Sequence, residues 1–174
     1  MVSTVTIREF FKSDSTALRS IDTSFSTDHI YSVITIDSAL QLARIPLTNS
    51  IVKKYELSAD LLAGTTSFVA LKNGCVCGLI AVAFESWHRR LVIRHFYVDR
   101  NTRHRGVGRQ LIARAIEHGQ DIGALNAWVE TSNLNSPGIA AYFRLGFEIC
   151  GFDTTFYAGT EAKGEFAVFL ARPI

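Results

Sequence analysis

The chain has 174 residues, of which 48% are hydrophobic and 20% are charged, and its formal net charge is +2 at pH 7. A chain of this length and composition buries about two-thirds of the surface that its unfolded form exposes, which predicts a single globular domain over residues 1–174 and excludes a disordered protein. The small net charge argues against a nucleic-acid-binding protein, because such proteins usually carry a basic surplus on one face.

The first third of the chain predicts one strand followed by two short helices. Alternation in TVTIREF is typical of a strand, and the Ser13-Asp14 start of the next segment, with apolar residues at helical spacing, predicts a helix. A second short helix is expected over residues 36–44, ending before Pro46. Residues 46–64 show no clear pattern.

The rest of the chain predicts an α/β or α+β fold, a mixed sheet with helices on both faces. Asn73-Gly74 between two apolar runs is the strongest short signal of a β-hairpin. After this hairpin the predicted elements are, in chain order, the strand RLVIRHFYV, the helix VGRQLIARAIEHG, the strand ALNAWVET, the helix SPGIAAYFRLG, and the strands FEICGFD and EFAVFLA.

Several absences limit the location and partners of the protein. No uncharged apolar run approaches the roughly 20 residues that a membrane helix needs, and the N-terminal segment lacks a basic region followed by an apolar one, so we expect a cytoplasmic protein without a membrane partner. Cys75, Cys77 and Cys150 have no second pair that would complete a zinc site. We expect plain buried thiols and no metal.

Positive charge and glycine are concentrated directly after the strand RLVIRHFYV. Arg103, Arg105 and Arg109 stand around Gly106 and Gly108, where the strand gives way to a helix. The first turn of a helix presents unpaired backbone N–H groups and the positive end of the helix dipole, and glycines let an anion approach the main chain. The segment therefore predicts a site for a small anion such as a pyrophosphate.

Two common nucleotide motifs do not match this segment. A Walker loop needs Lys followed by Ser or Thr after its last glycine, whereas Arg109-Gln110 stands there. A dinucleotide fingerprint needs a third glycine at the position of Leu111. A plain helix cap with solvated arginines is the alternative that this segment alone leaves open.

Two motifs in this order resemble those of the GNAT superfamily of N-acetyltransferases. The first is R-x-x-G-x-G at residues 103–108, and the second is NSPGIAAYFRLGF at residues 135–147. The resemblance implies acetyl-CoA as cofactor and the GNAT fold, with a mixed, mostly antiparallel central sheet of about seven strands. It also implies that the cofactor lies in an opening between the strand ending at Val98 and the strand NAWVE.

A narrower resemblance covers residues 25–169. The segments VETSNLNSPGIAAYFRLGFEICGFDTTFY and GEFAVFL are similar to the streptothricin acetyltransferases, and the Glu130-Thr131 pair, Asp153 and Glu165 favour this subgroup. It implies an enzyme that acetylates an amine of a small cationic acceptor, streptothricin above all, and so confers antibiotic resistance. An aminoglycoside, a polyamine or a protein N-terminus stays open as the acceptor, as does a non-catalytic acyl-CoA-binding module.

The resemblance implies roles for individual residues. Tyr142 is expected to protonate the leaving thiolate after direct attack of the amine on the thioester. Many relatives carry a carboxylate or His as the general base at the position that is Val92 here. Glu85, acting through water, is the expected base instead, unless the amine arrives partly deprotonated or loses its proton through ordered water. The expected cofactor-binding residues are Phe96, Tyr97, Val98, Arg103, His104, Arg105, Gly106, Val107, Gly108, Arg109, Asn135 and Tyr142, and the expected substrate-binding residues are Phe25, Glu85, Trp87, Glu130 and Asp153.

Structural alternatives stay open for several of these residues. A helix cap is the alternative for Asn135, a core position for Tyr142, and a turn cap for Asp153. Trp87 alternatively fills a groove, and Glu130 alternatively orients backbone groups. The apolar strand EFAVFLA is compatible with an ordinary sheet edge or with the seam of a homodimer.

Overall fold

The computed structural model describes residues 4–174, so the first three residues of the predicted domain lie outside the described range. Within this range every helix is too short or too polar to cross a membrane. In chain order the strands and α-helices are β1 (Val5–Glu9), α1 (Ser15–Leu18), β2 (Phe25–Ile36), β3 (Ala39–Lys53), β4 (Thr66–Lys72), β5 (Cys75–Glu85), β6 (Arg90–Val98), α2 (Val107–Asp121), β7 (Asn126–Ser132), α3 (Ser136–Arg144), β8 (Glu148–Asp153) and β9 (Ala167–Pro173).

Seven of these strands form one mixed sheet, and β2 and β3 form a separate two-stranded sheet. The strand order in the larger sheet is β1-β4-β5-β6-β7-β9-β8. The pairs β1/β4, β4/β5, β5/β6 and β8/β9 are antiparallel, whereas β6 and β7 run parallel. The arrangement confirms the predicted α+β class and the mixed, mostly antiparallel sheet of about seven strands.

The described chain divides into two compact units. The first consists of residues 4–24, 54–129 and 172–174, and the second consists of residues 25–53 and 130–171. A division into compact units does not by itself separate one domain from two, so the single domain over residues 1–174 stays a prediction.

In the first unit, α2 packs closely on the sheet through apolar side chains and two glycine contacts. A Cβ at Gly78 would lie 3.0 Å from Leu111 Cδ1, and a Cβ at Gly119 would lie 2.8 Å from Leu91 Cδ2. Because neither glycine carries a side chain, the helix approaches β5 and β6 closely. This packing fixes the start of α2 relative to the end of β6. The buried residues of α2 are Val107, Leu111, Ile112, Ala115 and Gly119.

The predicted helix over residues 36–44 is wrong, because these residues belong to the β2–β3 hairpin. Asp37 and Ser38 form a two-residue turn with φ of 48° and 66°, and the pairing of Ile36 with Ala39 closes the hairpin. Positive φ at both turn residues is the requirement of a type I′ turn, whose twist suits a hairpin. Pro46 lies beside a register shift in the pairing, a position where a strand tolerates a missing N–H.

The predicted helix after β1 is also shorter than expected. A 3-10 turn over Lys12–Asp14 leads into α1, which has only four residues. The chain leaves the helix because Asp22 is held elsewhere: its N–H donates to Asp99 Oδ2 at 2.9 Å, and its carbonyl accepts from Arg100 N at 3.0 Å. Long-range hydrogen bonds of this kind cannot be predicted from the spacing of apolar residues in a short segment.

In the second unit, Asn133 ties two segments together. Its backbone N–H donates to Phe166 O and its carbonyl accepts from Tyr31 N. Its side-chain Nδ2 donates to Tyr31 O at 2.9 Å, and its Oδ1 accepts from Phe166 N at 3.0 Å. Since the residue is 5% exposed, these four hydrogen bonds form largely away from water and hold β2 and the start of β9 against the end of β7.

Two of the three cysteines depart from the prediction of buried thiols. Cys77 is buried, but Cys75 and Cys150 are exposed. Cys75 is the first residue of β5, next to the Asn73-Gly74 turn, and a register shift between Ala70 and Leu71 lies beside it in β4. The strand end and the register shift account for the exposure of Cys75.

The C-terminal strand is neither an edge nor a seam. β9 lies between β7 and β8 in the sheet, and Ala167, Val168 and Leu170 in it are fully buried. Both alternatives for EFAVFLA are therefore wrong, because the outer position of the sheet belongs to β8. The homodimer itself stays a prediction.

Candidate active site

The turn between β6 and α2 is held by side chains that follow the strand. Asp99 Oδ1 accepts from Asn101 N at 2.9 Å, which starts a short 3-10 turn over Arg100–Thr102. His104 and Gly106 then adopt positive φ of 61° and 81°, and α2 begins at Val107. The chain thus reverses direction in a few residues before the helix starts.

This turn presents a run of backbone donors. Among residues 4–174, no backbone N–H from Arg103 to Arg109 is paired with a protein group, and the first α-helical bond runs from Gln110 N to Gly106 O at 3.1 Å. A Cβ at Gly106 would meet nothing within 4 Å, so the space beside the main chain is open. Gly108 instead faces β6, where a Cβ would lie 3.2 Å from Phe96 Cζ. Donors at an open helix start are the arrangement that binds phosphate.

The side chain of Arg103 serves the turn itself. Its Nε donates to Val98 O at 2.9 Å, and its Nη1 donates to Ser24 O at 2.6 Å. Burial lowers the pKa of this guanidinium from its ordinary value. The arginine therefore stabilises the loop, while His104, Arg105 and Arg109 are exposed. The positive charge available to an anion therefore comes from Arg105, from Arg109 and from the main-chain N–H groups of the turn.

β6 carries a bulge near the predicted cofactor segment. Its parallel pairing with β7 covers Arg90 to Ile93. Its register with β5 shifts so that Ile93 and His95 face consecutive residues of that strand, which leaves Arg94 as the extra residue. A bulge redirects the side chains that follow it. Phe96, Tyr97 and Val98 lie beyond the bulge and pair with Ile80, Leu79 and Gly78 of β5.

Glu85 and Trp87 lie together in the first unit, as their sequence spacing suggests. Glu85 Oε1 accepts from Arg94 Nη2 at 2.9 Å, and Oε2 lies 3.2 Å from His88 Nε2. A base role for Glu85 would compete with both of these partners. Trp87 is 84% exposed and stacks on the His88 ring, so the groove-filling alternative for it is wrong.

His95 is packed against neighbouring groups of the first unit. Its Nε2 lies 3.1 Å from Leu61 O, and its ring stacks near that of Tyr97. Burial lowers the pKa of His95, because the protonated ring would lose solvating water, and the Leu61 O contact only partly opposes this effect.

In the second unit, Glu130 lies in a polar cluster. The Tyr157 hydroxyl donates to Glu130 Oε1. Lys53 Nζ contacts both oxygens of Glu165 at 2.6 Å, and the Ser132 hydroxyl donates to Glu165 Oε2. Burial raises the pKa of Glu130, and the Tyr157 hydrogen bond and the Lys53 charge oppose this rise. The cluster combines residues from four segments of the chain. No sequence motif or residue spacing predicts that Lys53 and Tyr157 belong to it.

The second motif forms the start and one face of α3. Asn135 Oδ1 accepts from Gly138 N at 3.1 Å, and its Nδ2 donates to Thr131 Oγ1 at 3.0 Å, so the side chain caps the helix. Tyr142 is 7% exposed and its ring meets the edge of Phe147 at a centroid distance of 5.4 Å. Both structural alternatives are therefore realised, and the functional roles of these two residues stay predictions.

Two further predicted substrate residues, Asp153 and Phe25, also lie in this unit. Asp153 Oδ1 accepts from Thr155 N and from Thr155 Oγ1, both at 2.7 Å, and these bonds lower the pKa of Asp153. The side chain thus caps a turn. Phe25 is buried at the start of β2.

Comparison with known proteins identifies the family. A model described as the acetyltransferase (GNAT) family matches residues 37–147. A streptothricin acetyltransferase of Streptomyces lavendulae is 31% identical over 181 residues, which cover 98% of this chain and 96% of that protein. The chain belongs to the GNAT family of acetyltransferases. The resemblance of the motifs at residues 103–108 and 135–147 is confirmed, and this GNAT protein is an enzyme that transfers acetyl groups.

Solved structures extend the similarity of this GNAT enzyme. The crystal structure of nourseothricin acetyltransferase has a TM-score of 0.88 and 32% identity, covering 97% of this chain and 98% of that one. A protein of Bacillus anthracis str. Ames, solved in complex with acetyl coenzyme A, has a TM-score of 0.84 and 25% identity, covering 98% of this chain and all of that one. Streptothricin acetyltransferase A of Bacillus subtilis (strain 168) is 28% identical over 99 residues, 57% of this chain and 56% of that protein.

Proposed function

We propose that this GNAT acetyltransferase moves the acetyl group of acetyl-CoA to an amine of streptothricin, and that the product no longer acts as an antibiotic. Similarity to the Streptomyces lavendulae enzyme over 98% of the chain supports the acceptor. The Bacillus anthracis structure with acetyl coenzyme A supports the cofactor. In the chain itself, the observation that carries the proposal is the run of unpaired amides from Arg103 to Arg109.

The fit of the cofactor rests on charge and on backbone space. A pyrophosphate needs several donors at one place, and the open turn at Gly106 offers main-chain N–H groups together with the exposed cations Arg105 and Arg109. The bonds of Arg103 to Val98 O and Ser24 O hold this turn in place before any anion arrives. The predicted contacts of the Phe96, Tyr97 and Val98 backbone belong to the same proposal.

Acetyl-CoA supplies an activated thioester, and the chain must orient the acceptor and move two protons. The amine loses one proton before it attacks, and the leaving thiolate takes one up. We assign the second proton to the Tyr142 hydroxyl, whose buried ring is fixed against Phe147. Of the predicted substrate residues, Glu85, Glu130 and Asp153 carry charge that suits a cationic acceptor.

Tyr142→Phe tests the acid. Loss of the hydroxyl should lower kcat by about 100-fold, the scale of general acid catalysis, while the affinity for coenzyme A changes by less than about twofold. Tyr31→Phe is a matched control, because it makes the same chemical change elsewhere in the second unit. Stopped-flow turnover and calorimetry measure the two quantities. Unchanged kcat in Tyr142→Phe would remove Tyr142 as the acid.

An acceptor panel tests the function as a whole. Coenzyme A release is measured with streptothricin, spermidine and an aminoglycoside, and mass spectrometry identifies the acetylated product. We expect kcat/KM for streptothricin to exceed the others by at least about tenfold, since a pocket built for one charged acceptor discriminates by more than 1.4 kcal/mol. Higher turnover of another amine contradicts streptothricin as the acceptor. Coenzyme A binding without turnover of any amine favours a binding module.

A further inference from the structure

The β2–β3 hairpin is anchored to the second unit near its base. Both main-chain groups of Tyr31 bond to Asn133, whose carbonyl accepts from Tyr31 N at 3.1 Å and whose Nδ2 donates to Tyr31 O at 2.9 Å. The Ser136 hydroxyl donates to His29 O at 2.8 Å. Beyond this base, residues 32–43, here called the distal hairpin, make no hydrogen bond to another element of the described chain. A two-stranded ribbon gains little stability by itself.

The distal hairpin lacks the features that usually prevent an exposed strand from pairing with another chain. Residues 35–41 are exposed to water, with Leu40 61% and Ile36 46% exposed. Its one charged residue is Asp37 in the turn, and it contains no lysine and no proline. Natural edge strands carry charges, proline or bulges against such pairing. The distal hairpin therefore has the character of an association surface.

The two edges of this hairpin differ in what already occupies them. Facing residues of an antiparallel pair alternate between hydrogen-bonded and non-hydrogen-bonded pairs. Because Tyr31 directs its main-chain groups to Asn133, the Tyr31–Arg44 pair is non-hydrogen-bonded, and so is every second pair beyond it. Leu40, Leu42 and Arg44 thus point their N–H and C=O groups outward from β3, where no main-chain group of residues 4–174 bonds to them. The outer edge of β2 is covered at its base, whereas that of β3 is open.

We propose that the protein forms a homodimer in which β3 of one copy pairs antiparallel with β3 of a second copy, about a two-fold axis at Gln41. This register places Leu40 of each copy opposite Leu42 of the other, and each of these two pairs exchanges two N–H···O bonds. Gln41 then faces Gln41 of the other copy in the non-hydrogen-bonded pair between them. The two hairpins form one four-stranded antiparallel sheet, which satisfies the open edge.

Charge favours a second copy as the occupant of this edge. In the proposed register Arg44 of each copy lies opposite Ser38 of the other, next to the exposed carboxylate of Asp37. The guanidinium contacts His29 Nδ1 through Nη2 at 2.9 Å, which leaves further N–H groups for that carboxylate. Opposite charges therefore meet at both ends of the contact. A nucleic acid or an anionic membrane would instead need cations, and the distal hairpin has none.

The residue at the axis gives the sharpest test, because it meets itself. In Gln41→Lys two ammonium groups face each other, and in Gln41→Glu two carboxylates do, so each variant alone should dimerise more weakly than the wild type. Mixed in equal amounts, the two variants should associate at least about fivefold more tightly than either alone, since the mixed dimer pairs opposite charges. Sedimentation equilibrium measures these dissociation constants. No gain in the mixture overturns the axis at Gln41.

Leu40→Pro tests the open edge itself. It removes an outward N–H of β3 and no hydrogen bond of the hairpin, because Leu40 and Thr35 form a non-hydrogen-bonded pair. The dimer loses half of its hydrogen bonds between copies, so association should weaken by about 30-fold. Thr35→Pro is the matched control, since it makes the same change on the outer edge of β2, and it should dimerise like the wild type. If Leu40→Pro does not fold, the Gln41 variants decide the question.

The wild type decides whether this dimer exists at all. We expect its mass in solution to rise from 19.3 kDa toward twice that value with increasing concentration. A single-chain mass at every concentration up to about 100 µM overturns the proposal. A dimer that a folded Leu40→Pro protein leaves intact also overturns it, because such a dimer uses another surface. The dimer does not rest on the proposed function, and acetyl transfer to streptothricin by the same samples tests that function separately.

Discussion

The turn at residues 103–109 and the carboxylate of Glu130 both suit an ionic ligand, but the chain assembles them in opposite ways. The turn is contiguous, and its donors are main-chain N–H groups freed by a helix start. The Glu130 cluster consists of side chains from segments far apart in sequence, among them Lys53, Tyr157 and Glu165. A site of the first kind depends on local backbone geometry, and a site of the second kind depends on the folded unit.

This difference predicts how each site fails. A substitution that changes one φ angle should disable the turn without affecting the cluster. A substitution in the cluster should change both the stability of its unit and the titration of Glu130, because its charges are coupled.

Gly106→Val should give the largest effect and isolates the turn. Gly106 has φ of 81°, a conformation that a β-branched residue rarely adopts, and a side chain there would occupy the open space beside the main chain. We expect coenzyme A affinity to fall by at least about 100-fold, which corresponds to a backbone cost of about 3 kcal/mol. Calorimetric titration measures it.

Gly159→Val is the matched control for this variant, because Gly159 is also open on its Cβ side but does not have positive φ. Coenzyme A affinity in the control should match the wild type. Near-normal coenzyme A affinity in a folded Gly106→Val protein would show that the turn does not bind the cofactor, and the contrast between the two sites would no longer hold.

Lys53→Met should give a smaller effect and isolates the cluster. Glu165 would keep the Ser132 hydrogen bond but lose its cation, so the free energy of unfolding should fall by about 2 kcal/mol. Lys53 also lowers the pKa of Glu130, so the titration of this carboxyl group should move to higher pH. Urea unfolding and an NMR-detected pH titration of the Glu130 carboxyl group measure the two changes.

The exposed Lys163 supplies the control for this pair, as Lys163→Met removes the same charge outside the cluster. Equal stability of Lys53→Met and Lys163→Met would show that the Lys53–Glu165 pair contributes nothing measurable. An unchanged titration of Glu130 in Lys53→Met would show that Lys53 and Glu130 are not coupled.

Asn135→Ala should give the smallest effect. It tests a contact within one short segment, the cap of α3, rather than a contact between distant segments. Because Asn135 Oδ1 caps α3 at Gly138 N, its loss should lower the free energy of unfolding by about 1 kcal/mol. Asn135→Asp keeps an oxygen at the cap and should restore most of this stability. If both variants unfold like the wild type, the cap is unimportant, and a role in cofactor binding becomes the stronger account of this residue.

Local signals explain what the sequence predicted correctly. The hairpin at Asn73-Gly74, the helix that begins at Val107 and the strands on either side of it follow from turn chemistry and periodicity within short windows. The unpaired amides of the turn follow from the same reasoning, since any helix start leaves its first N–H groups without partners.

Long-range pairing explains what the sequence did not predict. Residues 36–44 have apolar spacing compatible with a helix, but eleven cross-strand pairs of the β2–β3 hairpin override it. Asn133, Lys53 and Tyr157 carry no motif, and their roles arise only where the folded chain brings their partners to them. The exposure of Cys75 at a strand end depends on register in the same way.

An amide-resolved NMR titration with coenzyme A tests the central claim most directly, because it reports on each backbone N–H of the turn. The account predicts that the largest shifts fall on residues 104–109 and that Gly106→Val abolishes them. Saturable binding that moves other amides and leaves these six unchanged would contradict it.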